Sequence, residues 1–203
     1  LDGRSLTRAD VAAMSGGAAV SLAPEALKRV AHAADFLARK VTAEEPIYGV
    51  NTGFGSNADK LLGAHPLRDE LPGASPSGRS LHQELQHNLI VSHAVGTGPA
   101  LPDGVVRLLL AMKAASLARG ASGVRPVVIE ALTNALKADA LPVIPAKGSV
   151  GASGDLAPLA HMTASLMGYG EIRLKGETLP AADALKRAGL APLALGAKGV
   201  YIG

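Results

Sequence analysis

The chain has 203 residues and is 48% hydrophobic, enough for one substantial core, and 20 Lys+Arg against 17 Asp+Glu leave a net charge of only +3 with the basic residues scattered. That balance, with aromatic residues at 2%, argues against a nucleic-acid surface built on a basic run or on stacked rings. The absence of cysteine excludes a disulfide framework and thiolate metal sites and points to the cytoplasm, while no apolar run approaches the roughly 20 residues that a membrane-spanning helix needs.

Thr7, with Asp10 three residues on and then Val11-Ala12-Ala13-Met14, predicts a capped short helix that Gly16-Gly17 ends. Ala18 to Leu22 reads as a short strand. Pro24 suits a first helical position, and Leu27, Val30, Ala31, Ala34 and Leu37 recur behind it at helical spacing. Ile47 to Ser56 (IYGVNTGFGS) is a glycine-punctuated loop, and Leu71 to Gly78 (LPGASPSG) a second flexible stretch.

Leu81, Leu85, Asn88, Leu89 and Ser92 share one face of a further helix, which carries His93 and stops at Gly96-Thr97-Gly98-Pro99. Val105, Leu108, Leu109, Met112 and Ser116 mark the next, and Val127, Val128, Ala131, Leu132, Ala135 and Leu136 another behind Pro126. Leu159, Met162, Leu166 and Met167 give a last long helix, with Pro158 at its start and Gly168 and Gly170 beyond its end. Glu171 to Leu174 and Glu177 to Leu179, joined by Lys175-Gly176, predict a small hairpin, and Ala181 to Ala188 a short helix stopped by Gly189. The expected fold is mainly α with minor β. It divides into a loop-rich part over 1–80, a helical part over 81–170, and the hairpin with its short helix over 171–203.

One stretch, 147-KGSVGASGDLAPLAH-161, asks for a reason. Gly148, Gly151 and Gly154 fall within seven residues, and the triplet Ala152-Ser153-Gly154 has almost no bulk. A phosphate loop does not fit: Lys147 precedes the glycines, G-x-G-x-x-G is absent, and no clear strand leads in. Neither Ser149 nor Ser153 sits in a G-x-S-x-G nucleophile turn. The plainer reading is a tight turn in which Asp155 caps a helix. A second unusual loop upstream, Tyr48 to Gly55, suggests that the two share a purpose.

Tyr48 to Gly55 (YGVNTGFG) and Gly148 to His161 (GSVGASGDLAPLAH) resemble the signature segments of the aromatic amino acid ammonia-lyases. Leu89 to Gly98 (LIVSHAVGTG), Ser116 to Arg125 (SLARGASGVR) and Pro142 to Lys147 extend the likeness over nearly the whole chain, and only Gly199 to Gly203 departs from it. The resemblance implies a helical-bundle architecture akin to fumarase and aspartase. It also implies that Ala152, Ser153 and Gly154 cyclise by themselves. The Gly154 nitrogen attacks the Ala152 carbonyl, two waters leave, and a methylidene-imidazolone (MIO) electrophile results, with no external cofactor and no metal.

Further roles follow from the same resemblance. Tyr48 matches the family's loop tyrosine, an acid/base or amine-handling group, which needs nearby positive charge or helix N-termini to bring its phenol down from about 10. Ser92-His93 is similar to the substrate-recognition pair of members that act on histidine, His93 bonding the imidazole ring. The expected reaction is loss of ammonia from L-histidine to give urocanate. Some tyrosine aminomutases carry the same pair, so a tyrosine or phenylalanine lyase or aminomutase stays open, as does an inactive truncated fragment. Family subunits are longer and share active sites within a homotetramer, so this chain is expected to be the N-terminal region of such a subunit. Neither nucleic acid nor membrane is an expected partner. His82 and His87 are read as lying on solvated faces, and His161 as packing.

Overall fold

The computed structural model describes residues 1–43, 45–48, 50–52, 81–152 and 154–195. Helix α1 (Arg8–Ser15) begins at a capping box: the Asp10 amide donates to Thr7 Oγ1 at 3.2 Å, and Asp10 Oδ2 accepts the Thr7 amide at 2.9 Å. Helices α2 (Pro24–Thr42) and α5 (Pro126–Ala138) both start on proline, whose fixed φ suits the first turn and whose missing N–H would have no partner there. Between these two come α3 (Leu81–His93) and α4 (Asp103–Leu117), and α6 (Leu156–Leu166) and α7 (Ala181–Arg187) follow. Ala18 to Leu22, expected as a strand, is irregular chain. Among the described residues it pairs with no strand, and extended residues without a ladder have nothing to hold them as β.

Among the described residues five short strands accompany the helices: β1 (Gly96–Ala100), β2 (Ala140–Pro142), β3 (Pro145–Gly148), β4 (Glu171–Leu174) and β5 (Glu177–Pro180). The hairpin β4–β5 closes as expected through Lys175 and Gly176, both at positive φ (50° and 89°), the backbone that a tight two-residue turn demands. Strand β2 adds antiparallel to β4, Ala140 opposite Leu174, to make a sheet of three. Strands β1 and β3 pair antiparallel as a separate ribbon, Gly96 opposite Gly148 and Thr97 opposite Lys147. The glycine stretch therefore does have a strand leading into it.

The main core is formed by Ile90 of α3, Val106, Leu110 and Ala114 of α4, Ile129 and Leu132 of α5, and Leu159 and Met162 of α6. A smaller cluster of Ile172, Leu174, Ala184 and Leu185 sits between the hairpin and α7. The buried face of α4 is one residue away from the expected one: Val105 and Met112 are 41% and 45% exposed, while Val106, Leu110 and Leu117 are buried. In a run as apolar as Val105 to Met112 two adjacent faces satisfy the same spacing, and only the partner helix chooses. Val127 of α5 is likewise exposed and Ile129 buried. Helix α6 has eight buried residues, including Thr163 and Ser165, and so runs through the interior rather than lying on it.

Candidate active site

The ribbon is what builds the site. Helix α3 ends at His93, the chain enters β1 at Gly96, and β1 pairs with β3, which runs directly into the glycine loop. Ser92-His93 and Ala152-Gly154 lie far apart in sequence, and the Gly96–Gly148 register brings their segments together.

At the end of α3, His93 is half-buried and Ser92 exposed. The Nδ1 of His93 lies 2.7 Å from the Leu89 carbonyl, and the Ser92 hydroxyl donates to the same oxygen at 3.0 Å. A carbonyl can only accept, so Nδ1 carries the proton, and in the neutral ring Nε2 keeps its lone pair. His93 thus offers an acceptor nitrogen.

The loop is clamped at both ends by its own backbone. The Val150 carbonyl accepts the Gly154 amide at 2.9 Å and the Leu156 amide at 3.3 Å, and Ser149 accepts from Ala157 at 3.0 Å. Gly151 (φ +61°) and Gly154 (φ +90°) take backbone angles that side chains resist. A Cβ on Gly151 would meet Leu156 Cδ1 at 2.4 Å, whereas one on Gly154 would meet nothing within 4 Å. Ala152 and Gly154 are exposed; Ser153 lies outside the described residues.

Asp155 occupies the N-cap position of α6, yet its side chain makes no capping bond. Its Oδ1 is buried without a hydrogen-bond partner, so the simple capped turn is not what the loop forms. Asp155 acts instead through charge on Lys113 of α4: burial lowers the lysine from its ordinary value of 10.5, and Asp155 raises it again. This pair was not legible as a site. The one signal is that Lys113 stands three residues after Leu110 and four before Leu117, on the buried stripe of its helix.

His161, read from the sequence as packing, has a specific bond: its Nε2 accepts the Gly96 amide at 2.9 Å. Burial pushes its pKa below 6.5, which keeps the ring neutral and able to accept. His87 is not on a solvated face either, since its ring packs against Tyr169 with centroids 5.3 Å apart and its Nδ1 is buried. The side chain of His82 lies outside the described residues.

Tyr48 sits on a loop tied down by Asn51, whose Oδ1 accepts the Ile47 amide at 2.7 Å and whose Nδ2 donates to the Glu45 carbonyl at 2.8 Å. Asn51 and Thr52 are buried while Tyr48 is 53% exposed, so the loop is anchored by its polar residues and leaves Tyr48 partly open to solvent. These anchoring bonds are local to residues 45–52, and the ribbon that joins His93 to the triplet does not include Tyr48. Gly53 to Gly55, the expected flexible stretch Leu71 to Gly78, and Gly199 to Gly203 lie outside the described residues.

The family model of aromatic amino acid lyases matches residues 6–200. The chain belongs to this family. It is 48% identical over 189 residues to a histidine ammonia-lyase of Bradyrhizobium diazoefficiens, covering 93% of this chain and 34% of that protein. Among solved structures it superimposes on the ergothioneine-degrading enzyme ergothionase of Treponema denticola with a TM-score of 0.84 at 27% identity, covering 97% of this chain and 36% of that one. On the phenylalanine aminomutase of Pantoea agglomerans the TM-score is 0.83 at 30% identity, covering 99% of this chain and 36% of the other. The mainly α architecture is thus the family's. The chain spans about a third of the length of the curated relatives it matches. No helix among the described residues is long and apolar enough to cross a membrane.

Proposed function

We propose that this chain forms the electrophile-bearing and ring-recognising part of a cytoplasmic enzyme that eliminates ammonia from L-histidine to give urocanate. In this reading it is the N-terminal region of a longer subunit, its loop-rich, helical and hairpin parts working as one unit, and the active sites are shared within a homotetramer. The observation that carries it is the ribbon: β1, which begins three residues after His93, pairs with β3, the strand that feeds Ala152-Ser153-Gly154. The 48% identity to a histidine ammonia-lyase supports histidine as the substrate.

The residues present fit the self-derived MIO group. Gly154 leaves open space where a side chain would stand, its nitrogen is held by one backbone carbonyl, and Ala152 and Gly154 face outward. When formed, the group supplies an electrophilic carbon that draws electron density from the substrate and makes its β-proton removable. Before that, the Val150 carbonyl holds the Gly154 N–H proton that cyclisation must release. His93 Nε2 accepts the imidazole N–H and so orients the ring, with Ser92 sharing the Leu89 carbonyl that fixes its tautomer. Tyr48, partly exposed on its anchored loop, handles the proton.

A tyrosine or phenylalanine lyase or aminomutase is the second reading, because a phenol O–H can donate to the same His93 nitrogen and an aminomutase shares the fold. Substrate trials on the intact protein decide between them. Histidine is expected to yield urocanate absorbance and tyrosine none; coumarate or a β-amino acid from tyrosine, with histidine inert, overturns the first reading. A protein showing no two-water mass deficit and no turnover of either substrate is an inactive fragment.

A further inference from the structure

We propose that His161 is a positioning residue: by accepting the Gly96 amide it locks the β1–β3 ribbon against α6 and so sets the distance between His93 and the Ala152–Gly154 turn. The inference rests on the reading of His93 and the triplet given above.

The ribbon needs such a tie because its own ladder is irregular. Its partners go from Thr97 with Lys147 to Ala100 with Pro145, three residues along β1 against two along β3, so the register slips within a very short pairing. Strand pairing this brief and uneven does not by itself fix how the strands lie. The ribbon is instead pressed on α6 from both strands. A Cβ on Gly96 would meet His161 Nε2 at 2.9 Å and Pro145 Cβ at 3.0 Å, and a Cβ on Gly148 would meet Ala157 Cβ at 2.9 Å. Glycine at both positions lets the backbone approach the helix, and within that approach the Gly96 amide donates to His161 Nε2.

The tie lies at a point of leverage. Gly96 is three residues beyond His93, Gly148 is four before Ala152, and His161 is on the helix that the triplet itself leads into. One bond therefore joins the helix after the electrophile to the segment that follows the ring-recognising histidine, and the Gly96–Gly148 pairing carries that tie to the strand before the electrophile. The ring must be neutral at Nε2 to do this. Burial favours that state, and the charged side chain nearest in register is Lys147, opposite Thr97.

The test compares His161→Leu, which removes the acceptor, with His161→Gln, which retains one, in the intact protein. Each variant is first weighed for the two-water deficit, so that a missing electrophile is not mistaken for a binding defect. Hydrogen–deuterium exchange at the Gly96 amide and urocanate formation across histidine concentrations are then measured. His161→Leu is expected to exchange Gly96 about tenfold faster and to raise KM about tenfold with little change in kcat, the size of one unmade bond to a half-buried donor, while His161→Gln stays near the parent. Unchanged Gly96 protection in His161→Leu overturns the proposal, as does a His161→Gln that behaves like His161→Leu. Should His161→Leu not fold, His161→Gln decides alone: parent-like protection sustains the proposal and fast exchange sinks it. A parent that makes no urocanate defeats the histidine reading instead and leaves the exchange comparison to judge His161.

Discussion

Lys113 of α4 and Asp155 at the head of α6 are coupled charges: burial draws the lysine down, the aspartate holds it up, and the Asp155 Oδ1 has no hydrogen bond of its own. The two residues link the core helix α4 to the turn that carries the triplet. Removing Lys113 takes a neighbouring positive charge from a buried carboxylate oxygen that has no hydrogen bond, so Lys113→Met is expected to destabilise by about 1–3 kcal/mol. The double variant with Asp155→Asn should cost less than the two singles together by about 1 kcal/mol. Chemical denaturation of the four proteins measures this; strictly additive losses would show that the charges act independently.

The choice of buried face on α4 can be checked directly. Leu110→Ala empties a fully buried position and is expected to cost about 2–5 kcal/mol. Met112→Ala, at an exposed position, should stay within about 0.5 kcal/mol. Equal losses at the two positions would mean that α4 is rotated from the orientation described.

The glycines of the loop have separable roles. Gly151→Ala adds both positive-φ strain and a collision with Leu156, whereas Gly154→Ala adds strain alone, on the order of 1–2 kcal/mol. Gly151→Ala is therefore expected to be the more destabilised of the two and to keep its full calculated mass, the turn being unable to close. Ser153→Ala, which has no hydroxyl to eliminate, should lack the two-water deficit and all lyase activity. Intact-mass measurement on each variant gives the answer, and surviving activity in Ser153→Ala would remove the electrophile from the site.

His161 makes stability depend on pH with a definite sign. Its folded pKa lies below 6.5, so in the window beneath 6.5 the unfolded chain binds more protons than the folded one, and stability falls as pH falls. Above 6.5 both states are neutral and this contribution is fully present. Thermal unfolding between about pH 5 and 8 is expected to show the decline in the parent and a flatter profile in His161→Gln. An identical slope in both would assign the effect to other groups.

Much of this protein was legible because its signals are local. The Thr7–Asp10 box, the prolines that open α2 and α5, and the Lys175-Gly176 turn each act within a few residues, and all stand where the sequence placed them. The glycine-rich triplet segment could also be read, since backbone freedom and the absence of bulk are properties of the residues themselves. Tyr48, Ser92 and His93 were picked out only through family likeness, for nothing in their own neighbourhoods names a role.

What only the tertiary structure decided is what depends on distant partners. Strands β1, β2 and β3 are too short to carry a period of their own, and they exist because Gly96 meets Gly148 and Ala140 meets Leu174 across long stretches of chain. The face of α4 that is buried, the charge that Lys113 answers and the acceptor role of His161 likewise depend on which surface arrives opposite. The sequence determined where the chain turns and where its helices begin. Packing decided which side chains face one another, because a hydrogen bond or a buried charge is a property of two residues and the chain writes them one at a time.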